Sequence, residues 1–190
     1  LATGQFTYRN TLFRITDLPG TYSLISSSED EAVTRHALCS ADAELVLVVA
    51  DACCLARSLA LVLQIRKITR NMIICVNLMD EAKKKNVHVN LEKLSSLLQI
   101  PVIGTSAREK RGLSELKEAL FLFSENKTRS SAGASPSLLE SPDFEPPASG
   151  IESLSRENCE RRILDSAPEV FIQEADALAQ QCVSEGAAET

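Results

Sequence analysis

The sequence lacks several patterns that would place it in a common class of protein. Its 190 residues include no tryptophan, only two histidines and no Cys-x-x-Cys spacing among six cysteines, so zinc-binding and disulfide-framework proteins are poorly supported. No apolar run approaches the roughly 18 residues of a membrane span. The chain starts without a signal-peptide pattern and without an initiator methionine. These absences predict a cytoplasmic chain that is a processed or truncated product.

The most consequential absence is that of a Gly-Lys pair. None of the seven glycines is followed by lysine, so the phosphate-binding pattern Gly-x-x-x-x-Gly-Lys-Ser/Thr (the P-loop) cannot be drawn anywhere in the chain. Nor does Gly-x-Gly-x-x-Gly follow any apolar run, which disfavours a dinucleotide-binding enzyme.

Charge and composition change near residue 123. Residues 1–123 carry a net charge of +2, and residues 124–190 carry −8. This acidic excess argues against a nucleic-acid partner, because phosphate backbones require a basic face. Residues 124–150 hold four of the seven prolines, which predicts a disordered linker after a domain of residues 1–123. Residues 151–185 are predicted to be a helical segment, most clearly at 170–179, and residues 186–190 a tail.

Three apolar runs end in polar motifs. Residues 72–76 are uninterrupted apolar residues, typical of a strand buried on both faces of a parallel sheet, and they lead into Asn77 and Asp80. A second run ends in Asp17 and Gly20, and a third, residues 101–104, ends in Thr-Ser-Ala. Ligands of parallel sheets bind at the carboxyl ends of the strands, so these motifs are expected to meet.

The remaining pattern predicts a doubly wound α/β fold. Residues 4–8 and 11–17 form a hairpin around a two-residue turn, Arg9-Asn10. The other predicted elements are a strand at residues 44–51 and helices at residues 32–38, 55–68, 91–98 and 113–123.

The motifs follow the order of the later nucleotide motifs of small GTPases. Residues 17–24 and 77–83 in particular resemble the G domain of the ferrous iron transport protein B (FeoB) family, over about the first 120 residues. The resemblance implies a Ras-like, mostly parallel sheet, here truncated at its N-terminus and lacking the strand that carries the P-loop. The strands ending at Asp17 and Asp51 are then expected to lie about 9–10 Å apart, too far for a ladder, with the hairpin poorly anchored.

The resemblance also implies ligands and residue roles. GTP or GDP is the expected ligand, with Mg²⁺ contacting Asp17 through water and the Gly20 N–H meeting the γ-phosphate. Asp80 would read guanine, Asn77 would tie the loops together and touch the base, and the Ala107 N–H would face the guanine oxygen. The complete set of expected nucleotide contacts is Asp17, Leu18, Pro19, Gly20, Asn77, Leu78, Met79, Asp80, Thr105, Ser106 and Ala107.

Two departures from the GTPase pattern predict weak function. Leu78 stands where many GTPases have a lysine that covers the base, and Thr21 stands where Ras-like hydrolases place a water-orienting glutamine. The implied process is ferrous iron transport, at the cytoplasmic face of the membrane to which the family is attached through a region missing here. Two alternatives stay open: a degenerate, non-enzymatic G domain acting as an interaction module, and a gene fragment.

Overall fold

The computed structural model describes residues 1–25, 28–40, 43–131, 163–164 and 167–185. Its elements, in chain order, are β1 (Ala2–Tyr8), β2 (Thr11–Asp17), α1 (Glu29–Cys39), β3 (Val46–Asp51), α2 (Leu55–Arg66), β4 (Met72–Asn77), α3 (Met79–Lys84), β5 (Val87–Val89), α4 (Leu91–Leu98), β6 (Val102–Gly104), α5 (Leu113–Ser131), α6 (Pro168–Cys182) and β7 (Val183–Glu185).

The centre of the molecule is a three-stranded parallel sheet in the order β3-β4-β6. Its middle strand, β4, is apolar from Met72 to Val76 and buried throughout that stretch, because helices cover both of its faces. Asp51 pairs with Asn77, and Val76 pairs with Gly104. This register brings the carboxyl ends of all three strands to one edge. The predicted α/β class with a parallel sheet is confirmed.

The hairpin β1–β2 forms a two-stranded antiparallel sheet of its own. Arg9 and Asn10 have φ of 45° and 63°, the left-handed conformation that a two-residue hairpin turn requires. Among the described residues, no backbone ladder joins β2 to β3. The hairpin is instead fastened at its turn, where the Tyr8 hydroxyl donates to Glu118 at 2.9 Å and Arg9 pairs with the same carboxylate at 2.8 Å. Arg9 also lies over the ring of Phe121 at 5.3 Å.

The main core lies between α2, the parallel sheet and the C-terminal helix α6. Leu59 and Val62 of α2 are completely buried, and Phe171 and Ala175 of α6 belong to the same apolar cluster. The strand β7 then pairs antiparallel with β5, and the Asn90 N–H donates to the Cys182 carbonyl at 2.8 Å. The end of the described chain is therefore built into the domain.

The structure differs from the sequence-based boundaries in two respects. Helix α3 and strands β5 and β7 were not predicted, because each is short and depends on tertiary partners. Helix α5 continues to Ser131, so the predicted boundary at residue 123 falls inside a helix. The first proline after residue 123 is Pro136, and no residue of 124–131 stops helix propagation. Linker residues 132–150, helical-segment residues 151–162 and tail residues 186–190 lie outside the described residues. Within the described part, no helix is both long and apolar enough to span a membrane.

Candidate nucleotide-binding site

Two loops meet at the carboxyl edge of the sheet. Asn77 is the last residue of β4, and Thr105 follows the last residue of β6. The ladder continues into these loops, since the Thr105 N–H donates to the Val76 carbonyl at 2.8 Å and the Met79 N–H donates to the Thr105 carbonyl at 3.1 Å. The predicted motifs Asn-x-x-Asp and Thr-Ser-Ala therefore lie side by side.

The side chain of Asn77 ties these loops together. Its Oδ1 accepts from the Thr105 hydroxyl at 3.0 Å and from the Ala107 N–H at 3.1 Å. Because both donors face Oδ1, the Asn77 amide retains its NH₂ group for other acceptors. In this structure the Ala107 N–H has a partner within the protein, and its expected contact with the guanine oxygen stays a prediction. The pairing of β4 with β6 carries the Asn77 amide to that N–H and satisfies it within the protein.

Asp80 lies in the first turn of α3 and is half-buried as a residue. Its backbone N–H donates to the hydroxyl of Ser106, a buried residue, at 3.0 Å. In the part of the chain that the structure describes, no hydrogen bond or ion pair engages the Asp80 carboxylate. A carboxylate without a protein partner can accept two parallel hydrogen bonds from a planar ligand.

Leu78, between the two polar residues, has φ 64° and ψ 31°. A side chain in this left-handed conformation costs roughly 1–2 kcal/mol. The bonds of the next two N–H groups to Thr105 and Ser106 offset that cost. The turn at Leu78 is what separates Asn77 from the start of α3 and lets both motif side chains belong to one site.

Sequence reasoning missed the residues that support the second loop. Gly112 has φ +76°, and a Cβ there would lie 2.1 Å from the Gly104 carbonyl oxygen, so only glycine fits. Ser106 and Arg111 exchange backbone hydrogen bonds at 3.1 and 3.2 Å. Arg108 also pairs with Glu81 across the loops at 3.5 Å. The glycine before α5 was visible in the sequence, but nothing indicated that it packs against the strand end.

The other predicted half of the site, residues 17–20, is held differently. Asp17 and Gly20 are exposed, and the Pro19 carbonyl accepts from the Thr34 hydroxyl of α1 at 3.2 Å. The segment that follows is fixed to α2, since the Leu24 N–H donates to Gln64 Oε1 at 2.6 Å. The described residues contain no cluster of three or more His, Cys, Asp or Glu side chains able to hold a metal. The single carboxylate of Asp17 would be compatible only with a magnesium ion whose other ligands are water and phosphate oxygens.

Cys75 of β4 contacts Thr105 in the loop that follows β6, and 5% of the Cys75 surface is exposed. Burial raises the pKa of the Cys75 thiol above its usual value. Cys75 therefore remains a neutral thiol near pH 7.

A parallel α/β sheet whose strands β4 and β6 lead into Asn-x-x-Asp and Thr-Ser-Ala, together with Asp-x-x-Gly at the end of the hairpin strand β2, is typical of a G domain. Residues 1–120 match the family model described as ferrous iron transport protein B, and the chain belongs to this family. It is 36% identical over 126 residues to the Fe(2+) transporter FeoB of Campylobacter jejuni, covering 66% of this chain and 21% of that protein. It is also 36% identical over 128 residues to FeoB of Escherichia coli K12, covering 65% and 17%.

Solved structures of the family share the fold. The G domain of T. maritima FeoB is 40% identical, with a TM-score of 0.61, covering 64% of this chain and 74% of that one. The FeoB G domain of Methanococcus jannaschii is 36% identical, with a TM-score of 0.62, covering 64% and 78%. The cytosolic domain of T. maritima FeoB in its GMPPNP form has a TM-score of 0.69 at 25% identity, covering 96% and 84%. The chain spans about a fifth of the length of the transporter sequences it matches.

Proposed function

We propose that this chain binds guanine nucleotides through the loops that follow β4 and β6. The observation that carries the proposal is that Asp80 is half-buried, has no described partner for its carboxylate, and lies three residues after Asn77 in a loop tied to Thr105 and Ser106. Guanine presents two adjacent donors, N1–H and its 2-amino group, and adenine does not. The carboxylate would accept both, and the Asn77 NH₂ group would donate to an acceptor on the same base. Relatives solved in GDP and GMPPNP forms support this assignment.

The remaining nucleotide contacts in the proposal come from both loops and from the end of β2. Leu78 and Met79 lie between the two polar residues of the first loop, and Thr105, Ser106 and Ala107 support them from the second. Leu18 and Pro19 shape the turn that presents the Gly20 N–H to the phosphates. Asp17 would contact Mg²⁺ through water. A bound Mg²⁺ would neutralise phosphate charge.

Hydrolysis by this chain is proposed to be absent or very slow. The sequence contains no Gly-Lys pair to hold the phosphates, and Thr21 follows Gly20 where a water-orienting glutamine would be needed. The process implied by the family is ferrous iron transport, with the iron as cargo and the G domain on the cytoplasmic face of the membrane. Binding of nucleotide to this chain would regulate that transport.

A non-enzymatic interaction module is the second candidate. The observation in its favour is the hairpin β1–β2, which leaves large apolar side chains exposed, including Leu12 at 60% and Ile15 at 46%. Such a module would bind a protein partner and no nucleotide.

Competition binding separates the two candidates. Fluorescent GDP is titrated with the purified chain and then displaced with unlabelled GDP or ADP. We expect GDP to displace the probe at least tenfold more effectively than ADP. Equal displacement by the two nucleotides would refute guanine recognition by Asp80. Failure of the probe to bind at millimolar concentration would favour the interaction module.

A further inference from the structure

Three side chains at the ends of β4 and β6 form a chain of two hydrogen bonds. Cys75 Sγ is 3.2 Å from Thr105 Oγ1, and Thr105 Oγ1 is 3.0 Å from Asn77 Oδ1. Cys75 and Thr105 are buried, with 5% and 2% of their surfaces exposed. Thr105 was expected from the sequence as a nucleotide contact, whereas Cys75 was not expected in the site.

The direction of each hydrogen bond follows from chemistry alone. The Ala107 backbone N–H can only donate, so the Asn77 atom that faces it at 3.1 Å must be the oxygen. An amide oxygen can only accept, so the Thr105 hydroxyl must donate to it. A hydroxyl has one proton, and that proton is then committed. The Cys75 S–H must therefore be the donor to Thr105 Oγ1.

We propose that Cys75 and Thr105 are positioning residues for nucleotide binding, acting as a chain of donors that ends at Asn77. The thiol donates to the hydroxyl, the hydroxyl donates to the amide oxygen, and the amide is thereby held with its NH₂ group available to the base. This inference rests on the proposed function and adds to it a requirement for a protonated thiol two residues before Asn77. Burial, which raises the pKa of Cys75, preserves that proton.

The first test examines the hydrogen-bond order without any nucleotide. The S–H stretching band of cysteine lies in an infrared region that is free of other protein bands, and its frequency falls when the thiol donates. Cys75→Ala identifies the band of Cys75 by difference. Thr105→Val removes the acceptor at nearly constant volume and is expected to shift that band to higher frequency. An unshifted band would overturn the proposed order.

The second test measures GDP affinity in variants of the chain of donors. Thr105→Val and Cys75→Ala are each expected to weaken GDP binding by about two- to twelvefold, the effect of one neutral hydrogen bond. Cys75→Ser retains a donor and is expected to restore most of the loss. Cys182→Ala is the matched control, because that cysteine is equally buried, at 3% exposed, but lies on α6. It should leave GDP affinity unchanged.

A purely structural role is separated from positioning by repeating both changes in Asn77→Ala. If Cys75 and Thr105 act through Asn77, neither change should weaken GDP binding further in that background. An undiminished loss there, or a loss in Cys182→Ala equal to that in Cys75→Ala, would overturn the proposal. If the unmodified chain binds no GDP, the proposed function fails, and the infrared band alone decides whether the chain of donors exists.

Discussion

The two ends of the candidate site are supported by different kinds of contact. At the base end, the loops after β4 and β6 continue a parallel ladder and are joined by side-chain bonds of Asn77 and Ser106 at 3.0–3.1 Å. At the phosphate end, Asp17 closes a hairpin that shares no ladder with the parallel sheet within the described residues. Under the proposed function, base recognition would be organised locally by two adjacent strands, whereas the hairpin expected to meet the phosphates shares no ladder with the parallel sheet in the described part of the chain.

The largest expected difference between the two ends is in backbone stability. The amides of residues 73–76 should exchange only on global unfolding, and those of residues 12–16 should exchange by local opening of the two-stranded hairpin. We expect protection to differ by a factor on the order of 10³ or more. Hydrogen exchange read by mass spectrometry or NMR measures this directly. Equal protection of the two strands would mean that the phosphate end is as firmly built as the base end.

The next largest effect is expected at Asp80. Asp80→Asn replaces a charged acceptor by a group that also carries donors, so it should weaken GDP binding by about 10- to 150-fold. Xanthosine diphosphate, which has an oxygen in place of the 2-amino group, should bind the variant better than the unmodified chain. Calorimetric titration measures both, with Asp30→Asn, a surface carboxylate of α1, as the control. Unchanged GDP affinity would remove Asp80 from the site.

A smaller effect should follow from releasing the hairpin at its turn. Glu118→Gln weakens the contacts with Tyr8 and Arg9, and an ion pair this exposed contributes about 0.2–1 kcal/mol. Amides of β1 and β2 should then exchange roughly two- to fivefold faster, with those of β4 unchanged. Glu115→Gln, one turn earlier on α5, is the matched control. Equal acceleration in both variants would show that the turn contacts do not hold the hairpin.

The smallest effect is expected at Asp17. Because few donors remain for the phosphates, Asp17→Ala should change GDP affinity less than threefold in the presence of Mg²⁺, and GTP should bind about as well as GDP. Phosphate release should not exceed the level without protein. Mg²⁺-dependent release that disappears in Asp17→Ala would show instead that the phosphate end is catalytically intact.

The elements that could be predicted from sequence are those whose signal is local. The apolar run 72–76 allows only a buried strand, and Asn90 caps α4 by accepting from the Lys93 N–H at 2.8 Å. The Arg9-Asn10 turn was identified by its length and position between two strand patterns. The three motifs were located at strand ends, where the structure places them.

What could not be predicted depends on contacts distant in sequence. Strands β5 and β7 have three residues each and pair across almost a hundred residues, so neither has a signal of its own. The hydrogen bond of the Ala107 N–H to Asn77 was not predicted, because it depends on the register between β4 and β6. Division of the chain into a domain, a linker and a helical segment stays a prediction.

The position of α6 on α2 has a consequence for biosynthesis. Helix α2 packs against a helix that begins at Pro168, and β5 acquires its partner only when Val183 is available. At a synthesis rate of about 5–20 residues per second, the apolar surface of α2 stays open for roughly 5–20 seconds after β5 has been made. During that interval the apolar face of α2 in the nascent chain is exposed to other proteins. A chaperone that binds apolar helices would shorten the exposure, and premature termination after α5 would make it permanent.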